Sequence, residues 1–130
     1  MATRKNIVPE GMKNIHERFH YSPAVRAGNF IYVAGQVGRN EKLEVVSGTE
    51  AQFVQAFENL KKVLSAAGAG MEDIIELVTY FTDMRDLPLF IQIKDRYITQ
   101  NYQAWTAIGT SALAMPGLLL EIKCVAFMHD

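Results

Sequence analysis

The sequence predicts an α+β two-layer sandwich, a mostly antiparallel sheet with two helices on one of its faces. Three observations lead there. One long segment repeats its apolar residues at helical spacing. Most of the rest is short, β-branched or aromatic runs separated by glycine and proline. A glycine-led pair of residues joins two of those runs as a hairpin. The predicted order is β-β-β-α-β-α-β-β, in a single domain spanning residues 1–130.

The elements follow in chain order. Lys5-Asn6-Ile7-Val8 reads as a short edge strand, stopped at Pro9-Glu10-Gly11 because proline has no ladder donor and glycine permits the turn. Ala24–Ala27 and Phe30–Ala34 flank Gly28-Asn29, a two-residue turn that needs positive φ and so marks a hairpin. Gly35-Gln36-Val37-Gly38 ends that hairpin, and residues 40–46 form a polar loop. Ser47 or Thr49 opens the long helix, each with a capping-box partner three residues on, Glu50 or Gln52. Phe53, Ala56, Phe57, Leu60, Val63, Leu64 and Ala67 give the helix a sheet-facing stripe. Gln55, Glu58, Lys61 and Lys62 lie opposite, and Gly68 and Gly70 suit the stop.

Residues 74–82 are β-branched and aromatic, which predicts a strand buried on both faces. Asp83 or Asp86 caps a second helix with Pro88 in its first turn. Leu89, Phe90, Ile93 and Tyr97 supply its apolar side, while Lys94, Asp95 and Arg96 read as its solvated face. Two strands close the chain, 102–108 and 118–126, joined at Met115-Pro116-Gly117. This connection makes Trp105 the residue of a partner strand to Glu121. The central strands are apolar at both parities, so the sheet face without helices is expected to be buried in an oligomer.

Composition narrows the function. Half of the 130 residues are apolar and the net charge is −1. A nucleic-acid partner is not expected of such a balance. Cys124 is the single cysteine, excluding an internal disulfide and a cysteine-based metal site, and its apolar strand makes it a buried small hydrophobe. The N-terminus shows no apolar leader and no run approaches a bilayer span, so a cytoplasmic protein is expected, without a membrane partner. His16 and His20 have no acidic or thiol partner at ligand spacing, so no metal is expected.

Glu121 is the residue that calls for chemistry. It shares a strand face with Leu119, Lys123 and Val125, opposite Leu120, Ile122 and Cys124. Two readings stand: a carboxylate paired with Lys123 on the surface, or a partly buried carboxylate that orients a water or accepts a proton. Tyr21 is a pocket tyrosine or a turn tyrosine.

Tyr21-Ser22-Pro23-Ala24-Val25, Gly28-Asn29 and Val33-Ala34-Gly35-Gln36-Val37-Gly38 resemble the N-terminal signature of the Rid family, also called YjgF or endoribonuclease L-PSP. Ala56–Leu60, Ala66-Ala67-Gly68, Val78–Asp83 and Leu120–Ala126 fit it as well, so the resemblance runs from about residue 18 to 128. It implies a chorismate-mutase-like fold and a homotrimer with a small-molecule ligand in each intersubunit cleft. The implied activity is hydrolysis of reactive imines and enamines to 2-keto acids and ammonia, with no cofactor.

By the same resemblance Glu121 is catalytic and helps position the attacking water. Tyr21 lines the pocket, and an arginine of a Pro-Ala-Arg-Ser/Thr motif clamps the substrate carboxylate. Here that motif reads Gln103-Ala104-Trp105-Thr106: Thr106 fits and Trp105 stands in place of the arginine. Ala34, Ala107 and Ile91 occupy further cleft positions where the family has polar residues. Tryptophan offers one neutral donor and a large apolar face, whereas arginine offers a bidentate charged fork. These departures predict an apolar cleft with weak or no activity on small imino acids; Arg26 and Arg96 are the cations that could reach it. A non-catalytic small-molecule-binding module is the alternative. The ribonuclease or translation-inhibitor role attached to the family ranks third, since no basic stripe supports it.

Overall fold

A computed structural model of the chain describes residues 3–129. Six strands form one sheet: β1 (Arg4–Ile7), β2 (Ala24–Ala27), β3 (Phe30–Val37), β4 (Ile74–Phe81), β5 (Ala104–Gly109) and β6 (Leu120–Phe127), in the spatial order β1-β2-β3-β6-β4-β5. Three helices accompany them: α1 (Lys13–Phe19), α2 (Thr49–Ala66) and α3 (Leu87–Tyr97). Helix α1 is the element that the sequence pattern did not reveal. Its seven residues are too few to show a period, and it buries Ile15 with the preceding Met12.

The β2–β3 hairpin forms as the Gly28-Asn29 pair predicts, with Gly28 at φ 60°. β3 then runs on to Val37 through a bulge between Val33 and Gln36, rather than ending at Gly35. The long helix keeps its apolar stripe but not its capping box. Gly48, at φ 95°, occupies the cap position and has no side chain to accept from the first turn. The Gln52 amide works elsewhere: its Oε1 accepts from the Leu119 N–H at 2.6 Å, and its Nε2 donates to the Gly117 carbonyl at 3.0 Å. It thereby ties the helix to the loop leading into β6.

One pairing differs from the expectation. β5 does not pair with β6; it lies parallel to β4, with Leu77 beside Trp105, while β4 runs antiparallel to β6. Helix α3 makes the crossover between β4 and β5, which a parallel pair requires. The segment around Met115-Pro116-Gly117 therefore passes β4 to reach β6, and β5 is left as an edge.

The core lies between the sheet and α2 and α3. Phe90 is its centre, with ring centroids 5.1 Å from Phe81, 5.4 Å from Phe57 and 6.1 Å from Phe53. Leu77, Leu120 and Ile122 are wholly buried beneath. Strand β4 is not buried on both faces in the single chain: Leu77, Thr79 and Phe81 are buried, while Ile75 and Glu76 are exposed and Val78 and Tyr80 half-buried. Phe30, Tyr32, Ile75 and Ile108 leave large apolar surface on the strands.

Candidate functional site

The alternation of β6 places the chemistry. Leu120, Ile122, Cys124 and Ala126 point into the core, so Glu121, Lys123 and Val125 project from the opposite face. Glu121 is half-buried, with Val37 of β3 and Tyr80 of β4 as its cross-strand partners. It makes no ion pair with Lys123 or any other cation among the described residues. Its carboxylate rests on Gly35: a Cβ at that glycine would lie 2.5 Å from Glu121 Oε2 and 2.6 Å from its carboxyl carbon. Only a residue without a side chain leaves room for the carboxylate there.

Tyr21 and Ala34 come together at the same end of the molecule, lining a surface depression of about 530 Å³ with His16 and His20. Ala34 and Ser22 also border a second depression, of about 370 Å³, with Tyr32, Glu76 and Lys123. The Tyr21 hydroxyl accepts from Arg39 Nη2 at 3.0 Å, and Arg39 Nη1 lies 3.5 Å from the Met115 sulfur. Helix α2 fixes this arginine's backbone, since Asn59 Nδ2 donates to the carbonyls of Val37 and Arg39 at 2.8 and 2.9 Å. Arg39 is thus a cation of the Tyr21 end without a carboxylate partner among the described residues. The two arginines suggested by the sequence are engaged elsewhere. Arg26 donates to the Gly28 carbonyl at 2.8 Å, and Arg96 lies 3.8 Å from Glu50.

The remaining site candidates sit on the far edge of the sheet. Trp105 and Ala107 face the helices, and Thr106 projects to the other side and is exposed. Thr106 therefore does not share a face with Trp105. The indole N–H of Trp105 donates to the buried Thr79 hydroxyl at 2.9 Å, and its ring lies 5.6 Å from that of Phe90. Trp105 fills the gap between β5 and α3 as part of the packing. Ile91 is 37% exposed on the outside of α3. Beside Phe90, the α3 residue that meets Trp105 is Lys94, which is 8% exposed and not on a solvated face. Its Nζ lies 5.2 Å from the indole centroid, a cation–π contact. Phe90, Ile93, Lys94 and Tyr97 stand at i, i+3, i+4 and i+7, so helical spacing does put this lysine on the buried stripe.

Two ionisable groups have environments that silence them. Burial pushes the Cys124 thiol up to about 12, which makes it an inert small hydrophobe, as its strand context predicts. Tyr97 is likewise pushed up to about 12, first by burial and then by its hydrogen bond to Glu58 Oε2 at 2.7 Å. No helix among the described residues is long and apolar enough to cross a membrane.

Comparison with known proteins agrees with this architecture. The RutC family protein YjgH of Escherichia coli is 33% identical over 133 aligned residues, covering 97% of this chain and 96% of its own. A protein of Dermatophagoides farinae named 2-iminobutanoate/2-iminopropanoate deaminase is 34% identical over 97 residues, 72% of this chain and 74% of its own. The solved structure of YjgH superposes with a TM-score of 0.90 at 32% identity, covering 98% of each chain. That of RidA from an Antarctic Psychrobacter gives 0.79 at 31%, covering 83% of this chain and 88% of the other. The profile of the family described as Endoribonuclease L-PSP matches residues 12–128, nearly the whole chain, and the protein belongs to that family.

Proposed function

We propose that this chain is an imine or enamine hydrolase acting in a cleft between the subunits of a homotrimer, with weak or no activity on small imino acids. The observation that carries the reading is the seat of Glu121: a half-buried carboxylate without a cation partner among the described residues, lodged against a glycine that leaves it room. Such a group is available to hold a water and take its proton. The water oxygen bonds to the imine carbon while one proton passes to the imine nitrogen. The resulting carbinolamine then loses its C–N bond, releasing ammonia and leaving the carbonyl. The reaction consumes one water and no oxidant or reductant. The name of the mite relative supports the same reaction class.

The placement of the other candidates supports the intersubunit cleft. Tyr21, Ala34 and Glu121 belong to the β2, β3 and β6 part of the sheet, whereas Trp105, Thr106 and Ala107 belong to its β5 edge. One copy does not bring the two sets together. An edge of one copy set against the Tyr21 end of the next would do so, and would cover the apolar side chains now exposed on the strands. A non-catalytic binding module in the same cleft is the second reading. What favours it is Trp105, whose only donor is already engaged by Thr79 and leaves nothing in the arginine's place to grip a carboxylate.

The test generates imines in situ with an amino-acid oxidase from small, aliphatic and aromatic amino acids, and compares wild type with Glu121→Gln. Wild type accelerates the loss of aliphatic or aromatic imines over the spontaneous rate, and Glu121→Gln does not. If wild type leaves every imine at the spontaneous rate, the hydrolase reading fails and the binding module takes its place. Light scattering checks the assembly: a particle of three times the 14.6 kDa chain is expected, and a monomer refutes the cleft.

A further inference from the structure

The Tyr21 hydroxyl is held from one side only. Its oxygen accepts from Arg39 Nη2 at 3.0 Å, and its own proton has no acceptor among the described residues. A phenol has one proton to donate, so a donor seated on its oxygen leaves that proton to point elsewhere. Beside it lies the depression of about 530 Å³, which no acidic residue lines. Arg39 is itself built into the fold. Its backbone N–H donates to the Val37 carbonyl at 2.9 Å, and it bridges to Val45 across the 39–45 loop. Asn40 Oδ1 tightens that loop by accepting from the backbone N–H groups of Lys42 and Glu44 at 2.9 and 3.0 Å. The other terminal nitrogen of the guanidinium rests against the Met115 sulfur, so the side chain is braced on both sides of the phenol contact.

One side chain ties this arginine to the strand that pairs with Glu121. Asn59 Nδ2 donates to the carbonyls of both Val37 and Arg39, and Val37 is the cross-strand partner of Glu121. Asn59 is oriented in turn by Gln55, whose Nε2 donates to its Oδ1 at 2.9 Å. A single amide on α2 thus fixes the residue opposite the carboxylate and the residue that holds the phenol. We infer that Arg39 is a positioning residue: it occupies the oxygen of Tyr21, so that the phenol donates its hydrogen bond to the nitrogen of the bound substrate. The inference rests on the hydrolase reading for the identity of that nitrogen, and on these hydrogen bonds for the pairing. When water adds to the imine carbon, the nitrogen changes from an imine to a more basic amine. A donor aimed at it gains strength along the reaction, which speeds turnover more than it tightens binding. The phenol keeps its proton throughout, so the balance of the hydrolysis is unchanged.

The experiment is a double-mutant cycle on imine hydrolysis by the intact protein, with Arg39→Met, Tyr21→Phe and the two combined. Each single variant lowers kcat about ten-fold or more with KM nearly kept. The double variant is no slower than Tyr21→Phe, because Arg39 acts only through the hydroxyl that is already gone. Melting curves taken beside the kinetics stay together, since both side chains reach solvent. Losses that multiply in the double variant, or an Arg39→Met protein that turns over as wild type does, overturn the inference.

A spectroscopic arm reads the pairing without turnover. Carbon-13 at the ζ carbon of the five tyrosines gives one resonance for each, and Tyr21→Phe assigns the Tyr21 signal. Arg39→Met moves that signal, because the ζ carbon bears the oxygen that loses its donor, and leaves the other tyrosine signals in place. If wild type hydrolyses no imine while the Tyr21 signal moves, the hydrolase reading fails and the positioning of Tyr21 by Arg39 stands. A Tyr21 signal that keeps its place in Arg39→Met overturns the inference even in an active enzyme.

Discussion

Thr79→Val asks whether Trp105 is a fixed part of the packing or a side chain free to meet a ligand. Valine keeps the shape and β-branching of threonine, so the strand preference of β4 is unchanged. Two things are lost. The indole N–H loses its acceptor, now 2.9 Å away, and the Thr106 carbonyl loses a long contact of 3.5 Å. The second is marginal at that distance. The first leaves a donor without a partner between β5 and α3, at a cost of about 1–3 kcal/mol. Thr79 is wholly buried, so replacing its hydroxyl by a methyl offsets part of this, leaving a net loss of about 1–2 kcal/mol.

The assay is urea unfolding followed by far-ultraviolet circular dichroism, with all variants at one chain concentration because assembly stabilises by mass action. Trp105→Phe and the double variant complete a cycle, whose coupling is expected at about 0.5–1.5 kcal/mol. A Thr79→Val loss below about 0.3 kcal/mol, with no coupling, would sink the argument. The indole donor would then be uncommitted in solution, and Trp105 would be free to meet a ligand rather than a fixed part of the packing.

Two further predictions follow from the same geometry. Gly35→Ala places a methyl where the Glu121 carboxylate now rests; the carboxylate is the movable partner, so the fold survives while imine hydrolysis falls toward that of Glu121→Gln, as steady-state kinetics beside a melting curve would show. Alkaline pH weakens the protein before its folded groups titrate. The Cys124 thiol rises from its ordinary 9.0 to about 12, and the Tyr97 phenol from 10.0 to about 12. Both folded values lie above the unfolded ones, so stability is at its full value below about pH 9 and falls as the pH climbs toward 12. Urea midpoints taken between pH 8 and 11 should fall steadily, and Cys124→Ala should flatten the decline; a flat wild-type profile would contradict it.

The two-layer architecture was legible because burial enforces a period. Phe53 to Ala67 and Leu120 to Ala126 repeat at helix and strand spacing, and both elements form where those repeats place them. Pairing was not legible. Periodicity records which face of a strand is buried but not which neighbour it meets, so chain order suggests β5 beside β6 although α3 carries it back to β4. Glu121 was readable because a carboxylate in an apolar strand stands out. The seat of that carboxylate was not, because a glycine needed for a close approach looks like a glycine needed for a turn. Lys94 shows another limit: its spacing sets it on the stripe of Phe90, Ile93 and Tyr97, whereas its charge points to solvent, and in the fold the spacing prevails. Arg39 gave no signal at all, since a loop residue reaches Tyr21 only through folding.

The position of Lys94 also decides what restoring the family's arginine would do. Taken alone, Trp105→Arg looks like a repair. In this fold it sets a guanidinium where the indole now stands, about 5.2 Å from an ammonium whose one acidic partner, the largely exposed Asp95, lies 3.8 Å away. At an effective dielectric of about 20, two unit charges at that separation repel by about 3 kcal/mol, and the cation–π contact that steadied Lys94 is lost with the ring. Trp105→Arg is therefore expected to lower stability and to gain little activity on small imino acids. Trp105→Arg combined with Lys94→Gln removes the repulsion, leaves one bidentate cation at that edge of the sheet, and should recover stability and, on the proposed hydrolase reading, turn over small imino acids better than either single variant. The comparison is a double-mutant cycle read in both urea midpoint and kcat/KM. Additive single effects would mean that the two positions do not share one site.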